Sequence, residues 1–156
     1  AEGFFETMSI AENLTMGRLA ANLTRGAVVT RAEMMALADD WTKSLNIRAI
    51  DADARVIELS GGNQQKVVIA KSLVQKPEIV IFDEPTRGVD VGAIGEIHQL
   101  INRLADEGLA VVVISSYLPE ILNISDRILV CRAGRVVEEF SPLEADEETI
   151  MFAAVH

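Results

Sequence analysis

The amino-acid sequence predicts an α/β fold in which a helical lobe precedes half of a parallel-sheet core. Near residue 77 the pattern changes, and three predicted strands begin to alternate with helical segments; they are the apolar runs 79–82 and 110–114, and residues 127–131. Strands that alternate with helices are typical of parallel sheets with right-handed crossovers. Short apolar runs of this kind are typical of strands that are buried on both faces.

Two capping boxes justify the first two helices. In each, a hydroxyl residue is followed three positions later by a glutamate, the pattern of a helix N-terminus; the pairs are Ser9 with Glu12 and Thr30 with Glu33. The first helix is expected to run from residue 10 to about residue 23, with Gly26 as its break. Apolar residues at steps of three and four predict an amphipathic second helix; they are Met34, Leu37, Trp41 and Leu45.

The remaining elements follow in order along the chain. Residues 46–58 are predicted to form a polar connector. Ser60 is predicted to be the N-cap of a third helix that ends before Pro77. A fourth helix follows the first strand and stops at Gly108, and a short fifth covers residues 118–124. A turn at residues 133–134 leads to a last strand, and Ser141-Pro142 with Glu144 predicts the start of the last helix. The expected divisions are residues 1–76 (helical), 77–141 (α/β core) and 142–156 (C-terminal helix).

Composition limits the class of protein. Hydrophobic residues make up 49% of the 156 positions and charged residues 24%, which favours a globular fold over disorder. No apolar run is longer than that of residues 109–114, which is far below the ~18 residues that a membrane span needs. The single cysteine, Cys131, excludes an intramolecular disulfide and agrees with a reducing compartment. A net charge of −10 argues against a generic nucleic-acid or anionic-lipid binder.

Ser60, Gly61 and Gly62 form a candidate anion site. They open a helix, whose first-turn amides lack internal partners and carry the positive end of the helix dipole, and glycines let a phosphate approach the backbone. An ordinary serine N-cap is the competing interpretation. Asn63 and Gln64 follow directly, and two carboxylates lie downstream, so we favour the anion site.

Asp83 and Glu84 end the first predicted strand, which has four apolar residues before them and Pro85 after them. The carboxyl ends of strands in open α/β sheets are where ligands bind. One carboxylate there suits Mg²⁺, which takes one or two carboxylates plus phosphate oxygens, and the other could orient and deprotonate a water. A solvated acidic turn is the competing interpretation for an isolated Asp-Glu pair.

The window from residue 59 to residue 90 resembles the nucleotide-binding subunit of an ABC transporter, a P-loop NTPase fold. Asn63 and the run over residues 86–93 resemble the second ATPase half of sugar importers. The resemblance implies that Ser60, Gly61, Gly62, Asn63 and Gln64 contact the γ-phosphate of ATP held by the opposite half of a head-to-tail dimer. It also implies a metal-associated Asp83, a catalytic base at Glu84 and a contact between the halves through Asp90.

Two departures from the family pattern are visible. Ser116 stands where the family usually has a histidine that contacts the γ-phosphate, and serine cannot share a proton near neutral pH as histidine can. There is also no G-x-x-x-x-G-K-[ST] phosphate loop, and no glutamine precedes Gln64. We therefore interpret the chain as a fragment of a longer ATPase, and we expect no ATPase activity from the chain alone.

The resemblance implies ATP and Mg²⁺ as cofactors and a parent ATPase that drives import of a sugar or similar solute. The implied partners are the other ATPase half and membrane permease subunits, with a solute-binding protein acting indirectly and no nucleic acid. The implied location is peripheral, on the cytoplasmic face of the inner membrane. Two alternatives stay open: a catalytically silent binding module, and a fragment of a chromosome-maintenance or DNA-repair ATPase, which would need long heptad arms or a basic face.

Overall fold

The computed structural model describes residues 4–21 and 28–156. Its helices are α1 (Ile10–Ala21), α2 (Arg31–Ser44), α3 (Gly61–Leu73), α4 (Val91–Asp106), α5 (Leu118–Ile124) and α6 (Glu147–Val155). Its strands are β1 (Ile79–Asp83), β2 (Ala110–Ile114), β3 (Ile128–Arg132) and β4 (Arg135–Phe140), and a 3₁₀ turn covers Val56–Glu58. The predicted end of the first helix near Leu23 and its break at Gly26 lie outside the described residues.

The chain divides into two compact units. The first contains Ala1–Ile79 and Thr86–Leu100, and the second contains Val80–Pro85 and Ile101–His156. The segment from Thr86 onward therefore belongs to the helical unit, although β1 from Val80, with Glu84 and Pro85 after it, belongs to the second unit. Within the described ranges, no helix is long and apolar enough to cross a membrane.

In the first unit, α1 packs against both α2 and α3. Gly17 allows the close approach to α3, because a Cβ atom at this position would collide with the backbone carbonyl of Lys71. Ile10 and Leu14 of α1 are completely buried, as are Val67 and Ala70 of α3. These small and apolar residues hold α3, and with it the Ser60 segment, against the rest of the unit.

Both predicted capping boxes are confirmed. The Ser9 hydroxyl accepts the Glu12 N–H at 3.1 Å, and the Glu12 carboxylate accepts the Ser9 N–H at 2.8 Å. The Thr30 hydroxyl accepts the Glu33 N–H at 3.3 Å, and the Glu33 carboxylate accepts the Thr30 N–H at 2.8 Å. The amphipathic second helix is confirmed as well, with Ala38 fully buried on its inner face.

Residues 46–58, predicted as a polar connector, also complete the N-terminus of α1. The N–H groups of Ile10 and Ala11 donate to the carbonyls of Ala54 and Ala52 at 3.1 and 3.0 Å. These two amides have no partner within the helix, so the connector satisfies donors that would otherwise be unpaired. Ala52 is itself buried, which the polar character of the segment did not predict.

In the second unit, β1 pairs with β2. The prediction that these strands are buried on both faces is wrong: Val80 and Phe82 are buried, whereas Ile81 is 64% exposed. In β2, Val112 and Ile114 are 45% and 52% exposed. The reason is that the described part of the chain covers only one face of the pair.

The strands β3 and β4 form a separate antiparallel hairpin with a register shift between Val130 and Cys131. Ala133 and Gly134 connect them, both with positive φ (49° and 74°), as a type I′ turn requires. Helix α6 packs on this hairpin through Ile150, which forms a small core with Ile128 and Val130.

The predicted start of the last helix is wrong. Ser141 accepts backbone hydrogen bonds from Glu144 and Ala145 at 3.0 and 3.1 Å, which closes a single turn. Helix α6 begins only at Glu147, because the Asp146 carboxylate accepts the Thr149 N–H at 2.8 Å and acts as the N-cap. Carboxylates are strong N-caps, and this one outcompetes the serine-proline signal upstream.

Asn13 generates a stability prediction. Its side chain is fully buried, accepts the Phe5 N–H at 2.8 Å and donates to the carbonyls of Phe5 and Ser9 at 3.0 Å each. We expect Asn13→Ala to lower the free energy of unfolding by about 2 kcal/mol, because it leaves backbone groups unpaired. Urea unfolding followed by circular dichroism measures this, with the exposed Asn123→Ala as control; equal losses in both variants would contradict the assignment.

The second capping box generates a pH prediction. Hydrogen bonds from the Thr30 backbone and side chain hold the pKa of Glu33 below the usual range of a glutamate. A depressed folded-state pKa contributes stability above the unfolded-state pKa, and this contribution is lost as the pH falls through the folded-state pKa. The stability difference between wild type and Glu33→Gln should therefore shrink between neutral and strongly acidic pH in urea titrations. Thr30→Ser, which keeps the box, should preserve the wild-type pH dependence, and a pH-independent difference for Glu33→Gln would refute this account.

Candidate functional site

The first cluster of predicted site residues lies at the N-terminus of α3. Ser60 precedes the helix, and its carbonyl accepts the Gln64 N–H at 2.9 Å. The interpretation of its hydroxyl as an ordinary N-cap is wrong, because Ser60 Oγ makes no capping bond and instead accepts the Asn63 side-chain amide at 2.9 Å. Ser60 is exposed. Because its hydroxyl oxygen accepts a hydrogen bond from Asn63, the hydroxyl proton remains able to donate to a ligand.

The two amide side chains after the glycines both turn back toward the protein. Asn63 Oδ1 accepts the Arg48 N–H at 2.9 Å, and Gln64 Nε2 donates to the Leu59 carbonyl at 3.0 Å. These bonds brace the Ser60 segment from both sides. The sequence did not indicate Arg48 as a partner, since nothing in its local pattern links it to residue 63.

The two glycines are required by packing within the first unit. A Cβ atom at Gly62 would lie 2.7 Å from Ala93 Cβ, and one at Gly61 would lie 3.0 Å from the Gly88 carbonyl oxygen. Gly88 has φ of 75°, a conformation that favours glycine. The start of α3 is therefore seated directly on residues 88–93, and Asp90 is an exposed member of that segment.

One turn further along α3, a buried cation meets α4. Lys66 Nζ donates to Glu96 Oε2 at 2.6 Å and to the Asn46 carbonyl at 3.0 Å. Arg48 contacts the other oxygen, Glu96 Oε1, at 3.1 Å. The hydrogen bond and the charge of Lys66 hold the pKa of Glu96 below its usual range. Sequence reasoning missed Lys66 and Glu96; a lysine among the apolar residues of α3 was the only available signal.

The second cluster lies where β1 and β2 end. Asp83 is the exposed last residue of β1, and Glu84 follows it with φ of 48°. The Glu84 N–H donates to the Ile114 carbonyl at 2.7 Å, and Glu84 Oε1 accepts the Ser116 N–H at 2.9 Å. The predicted pair of Glu84 and Ser116 is thus brought together, but through the serine's backbone amide and not its hydroxyl.

The donor chemistry at the strand end fits a hard cation that brings its own oxygen ligands. Asp83 offers an exposed carboxylate, while the described part of the chain has no group of three or more His, Cys, Asp or Glu able to hold a metal by themselves. Mg²⁺ commonly binds through one or two carboxylates plus phosphate oxygens and waters. Asp83 therefore fits Mg²⁺ that is bound together with a nucleotide.

The two clusters belong to different units. The Ser60 cluster and Asp90 lie in the first unit, and Asp83, Glu84 and Ser116 lie in the second. Each cluster is built by contacts within its own unit.

Comparison with known proteins gives consistent results. A family model described as ABC transporter matches residues 1–87. A ribose import ATP-binding protein from Rhodococcus jostii is 50% identical over 153 residues, which is 98% of this chain and 30% of that protein. A xylose import ATP-binding protein from Geobacillus kaustophilus is 46% identical over 152 residues, which is 97% of this chain and 30% of that protein. The chain thus spans less than a third of the length of these relatives.

Solved structures agree with the sequence relatives. A dimeric ATP-binding cassette in a post-hydrolysis state, bound to ADP and Pi, superposes with a TM-score of 0.72 at 26% identity over 89% of this chain and 59% of its own. An inward-facing putative metal-chelate type ABC transporter gives a TM-score of 0.82 over 99% of this chain and 61% of its own, and at 20% identity it supports the fold alone. The chain belongs to the ABC transporter family, and it forms part of the ATP-binding cassette, a P-loop NTPase fold.

Proposed function

We propose that this chain is part of an ATP-hydrolysing subunit that powers import of a sugar or a similar small solute. The observation that supports the proposal is the junction at the ends of β1 and β2, where Glu84, directly after Asp83, accepts the Ser116 N–H and donates to the Ile114 carbonyl. The relatives named above are import ATP-binding proteins for ribose and xylose. We propose only the class of solute from these names, because the described residues contain no feature that selects one sugar.

In the first step of the proposed mechanism, the N-terminus of α3 binds the phosphates of a nucleotide that another ATPase half holds. Ser60 is exposed, and its hydroxyl already accepts a hydrogen bond from Asn63, which leaves its proton free to donate to a phosphate oxygen. The N–H groups of Gly61, Gly62 and Asn63 lie in the first turn, where no carbonyl of the helix can accept from them. The positive end of the helix dipole adds to the attraction for the anion.

The second step takes place at the strand ends and serves a nucleotide in the same half. Glu84 orients and deprotonates the attacking water, a role typically worth ~10²–10⁴ in rate. The Ser116 N–H holds Oε1 at 2.9 Å, so the carboxylate direction is fixed and Oε2 is left to accept the water proton. Asp83 would hold Mg²⁺, which would neutralise phosphate charge when bound.

Ser116 limits the rate of this half. Its hydroxyl can hydrogen-bond a phosphate oxygen but cannot exchange a proton near neutral pH as a histidine would. Because no phosphate loop occurs in the 156 residues, we propose that the chain by itself hydrolyses no ATP.

The proposed partners of the chain are the other ATPase half and permease subunits, with a solute-binding protein acting indirectly. The proposed location is the cytoplasmic face of the inner membrane. We also propose that Asp90, which is exposed, contacts the other half.

Calorimetric titration tests the donation in trans. We expect at most weak Mg-ATP binding by the chain alone, and ATP-dependent association when it is mixed with an ATPase half that carries a phosphate loop. Ser60→Arg should abolish that association, because its side chain fills the space where the phosphate would lie. Ser72→Arg, an exposed position on the same helix, is the control. Tight Mg-ATP binding by the chain alone, or association that survives Ser60→Arg, would contradict the proposal.

Gly62→Ala tests the seating of the donated turn. Because its Cβ would lie 2.7 Å from Ala93 Cβ, the variant must displace α3 from residues 88–93. We expect a loss of about 1–3 kcal/mol in the free energy of unfolding, typical of overpacking, together with weaker ATP-dependent association. Gly95→Ala is the matched control, since nothing lies within 4 Å of its Cβ, and it should stabilise α4 by up to ~1 kcal/mol. Indistinguishable binding by Gly62→Ala and wild type would show that the seating is unimportant.

A further inference from the structure

Lys66 is a buried charge that stability alone does not explain. Its side chain is only 5% exposed, and its ammonium group is held by Glu96 Oε2 at 2.6 Å and the Asn46 carbonyl at 3.0 Å. Desolvating such a pair can cost more than the ion pair returns, and well-packed hydrophobic replacements are often neutral or stabilising. The contacts of the pair indicate a role other than stability.

The contacts of the pair lead to the Ser60 hydroxyl. Glu96 uses its second oxygen, Oε1, to contact the Arg48 guanidinium at 3.1 Å. The Arg48 backbone N–H donates to Asn63 Oδ1 at 2.9 Å, and Asn63 Nδ2 donates to Ser60 Oγ at 2.9 Å. Every group in this chain of contacts lies within the first unit.

The same pair also continues the seam between α3 and α4. Residues four apart lie on the same face of a helix, so Lys66 follows Gly62, and residues three apart do so as well, so Glu96 follows Ala93. The contact of Gly62 with Ala93 and the ion pair of Lys66 with Glu96 are therefore successive contacts along one seam. Both contacts join α3 to α4 within the first unit.

We propose that Lys66 and Glu96 are a positioning pair that fixes the Ser60–Gly62 turn in the conformation that grips the triphosphate. The inference rests on the proposed donation of this turn to a nucleotide in trans. Neither residue touches the nucleotide; both act through Arg48, Asn63 and the helix seam. Losing the pair loosens the turn and weakens the grip without unfolding the unit.

Amide hydrogen exchange on the 156-residue chain tests the local effect, independently of any nucleotide. In Lys66→Met and Glu96→Gln, exchange at the Arg48 and Gln64 amides should accelerate about tenfold, as local opening becomes easier. The Met34 amide, at the start of α2, should keep its wild-type rate, and so should all three amides in Arg31→Met, which breaks the exposed Arg31–Asp53 pair in the same unit. Equal acceleration throughout the chain would overturn the proposal in favour of a general stabilising role.

The double variant Lys66→Met/Glu96→Met separates positioning from stability. Apolar replacement of both partners should restore the urea midpoint to near the wild-type value. ATP-dependent association with the phosphate-loop half should nevertheless stay about tenfold weaker, because a small misplacement of a contacting group is costly. A stable double variant with wild-type affinity would overturn the pair's positioning role. If wild type itself fails to associate, the proposed function falls, and the exchange experiment decides the positioning role alone.

Discussion

The close packing of the α3 N-terminus on residues 88–93 is the constraint on which the candidate site depends. A Cβ atom at Gly62 would lie only 2.7 Å from Ala93 Cβ, and one at Gly61 would lie 3.0 Å from the Gly88 carbonyl oxygen. Both contacts lie within the first unit, which includes Thr86–Leu100. They also couple two segments with proposed roles at the boundary between ATPase halves, so a displacement of one moves the other. The glycines thus have a packing reason to be present, in addition to their proposed role near a phosphate.

The second cluster depends on backbone geometry and not on packing. Glu84 adopts a positive φ that is uncommon for a residue with a side chain, and its N–H is anchored to the Ile114 carbonyl. Strained backbone of this kind persists only where the surroundings hold it. Here the pairing of β1 with β2 does so, and it points the carboxylate at the Ser116 amide. The residue type at position 116 therefore matters less for orienting Glu84 than for proton exchange, since any residue except proline supplies that amide.

Local signals were reliable where one short stretch supplied every partner. Both capping boxes and the amphipathic second helix formed as predicted, because each needs only residues within one or two turns. Prediction failed where nearby polar residues competed for the same role, because the local pattern does not say which of them forms the bond. Asp146, and not Ser141, is the N-cap of the last helix. The Ser60 hydroxyl accepts a hydrogen bond from the Asn63 side chain and does not cap α3. The apolar strands were expected to be buried on both faces, yet composition states only what a face prefers and not whether the chain supplies a cover.

The sequence by itself determined the family and the positions of its motifs, because a run such as residues 59–90 carries its chemistry in residue type and spacing, and the family model and the relatives confirm it. The order of helices and strands was also readable, since periodicity is local. Only the tertiary structure decided which atoms meet: the Ser116 amide with Glu84, and Lys66 with Glu96 across a separation of thirty residues. Such pairings depend on the path of the chain in space, which no local pattern encodes.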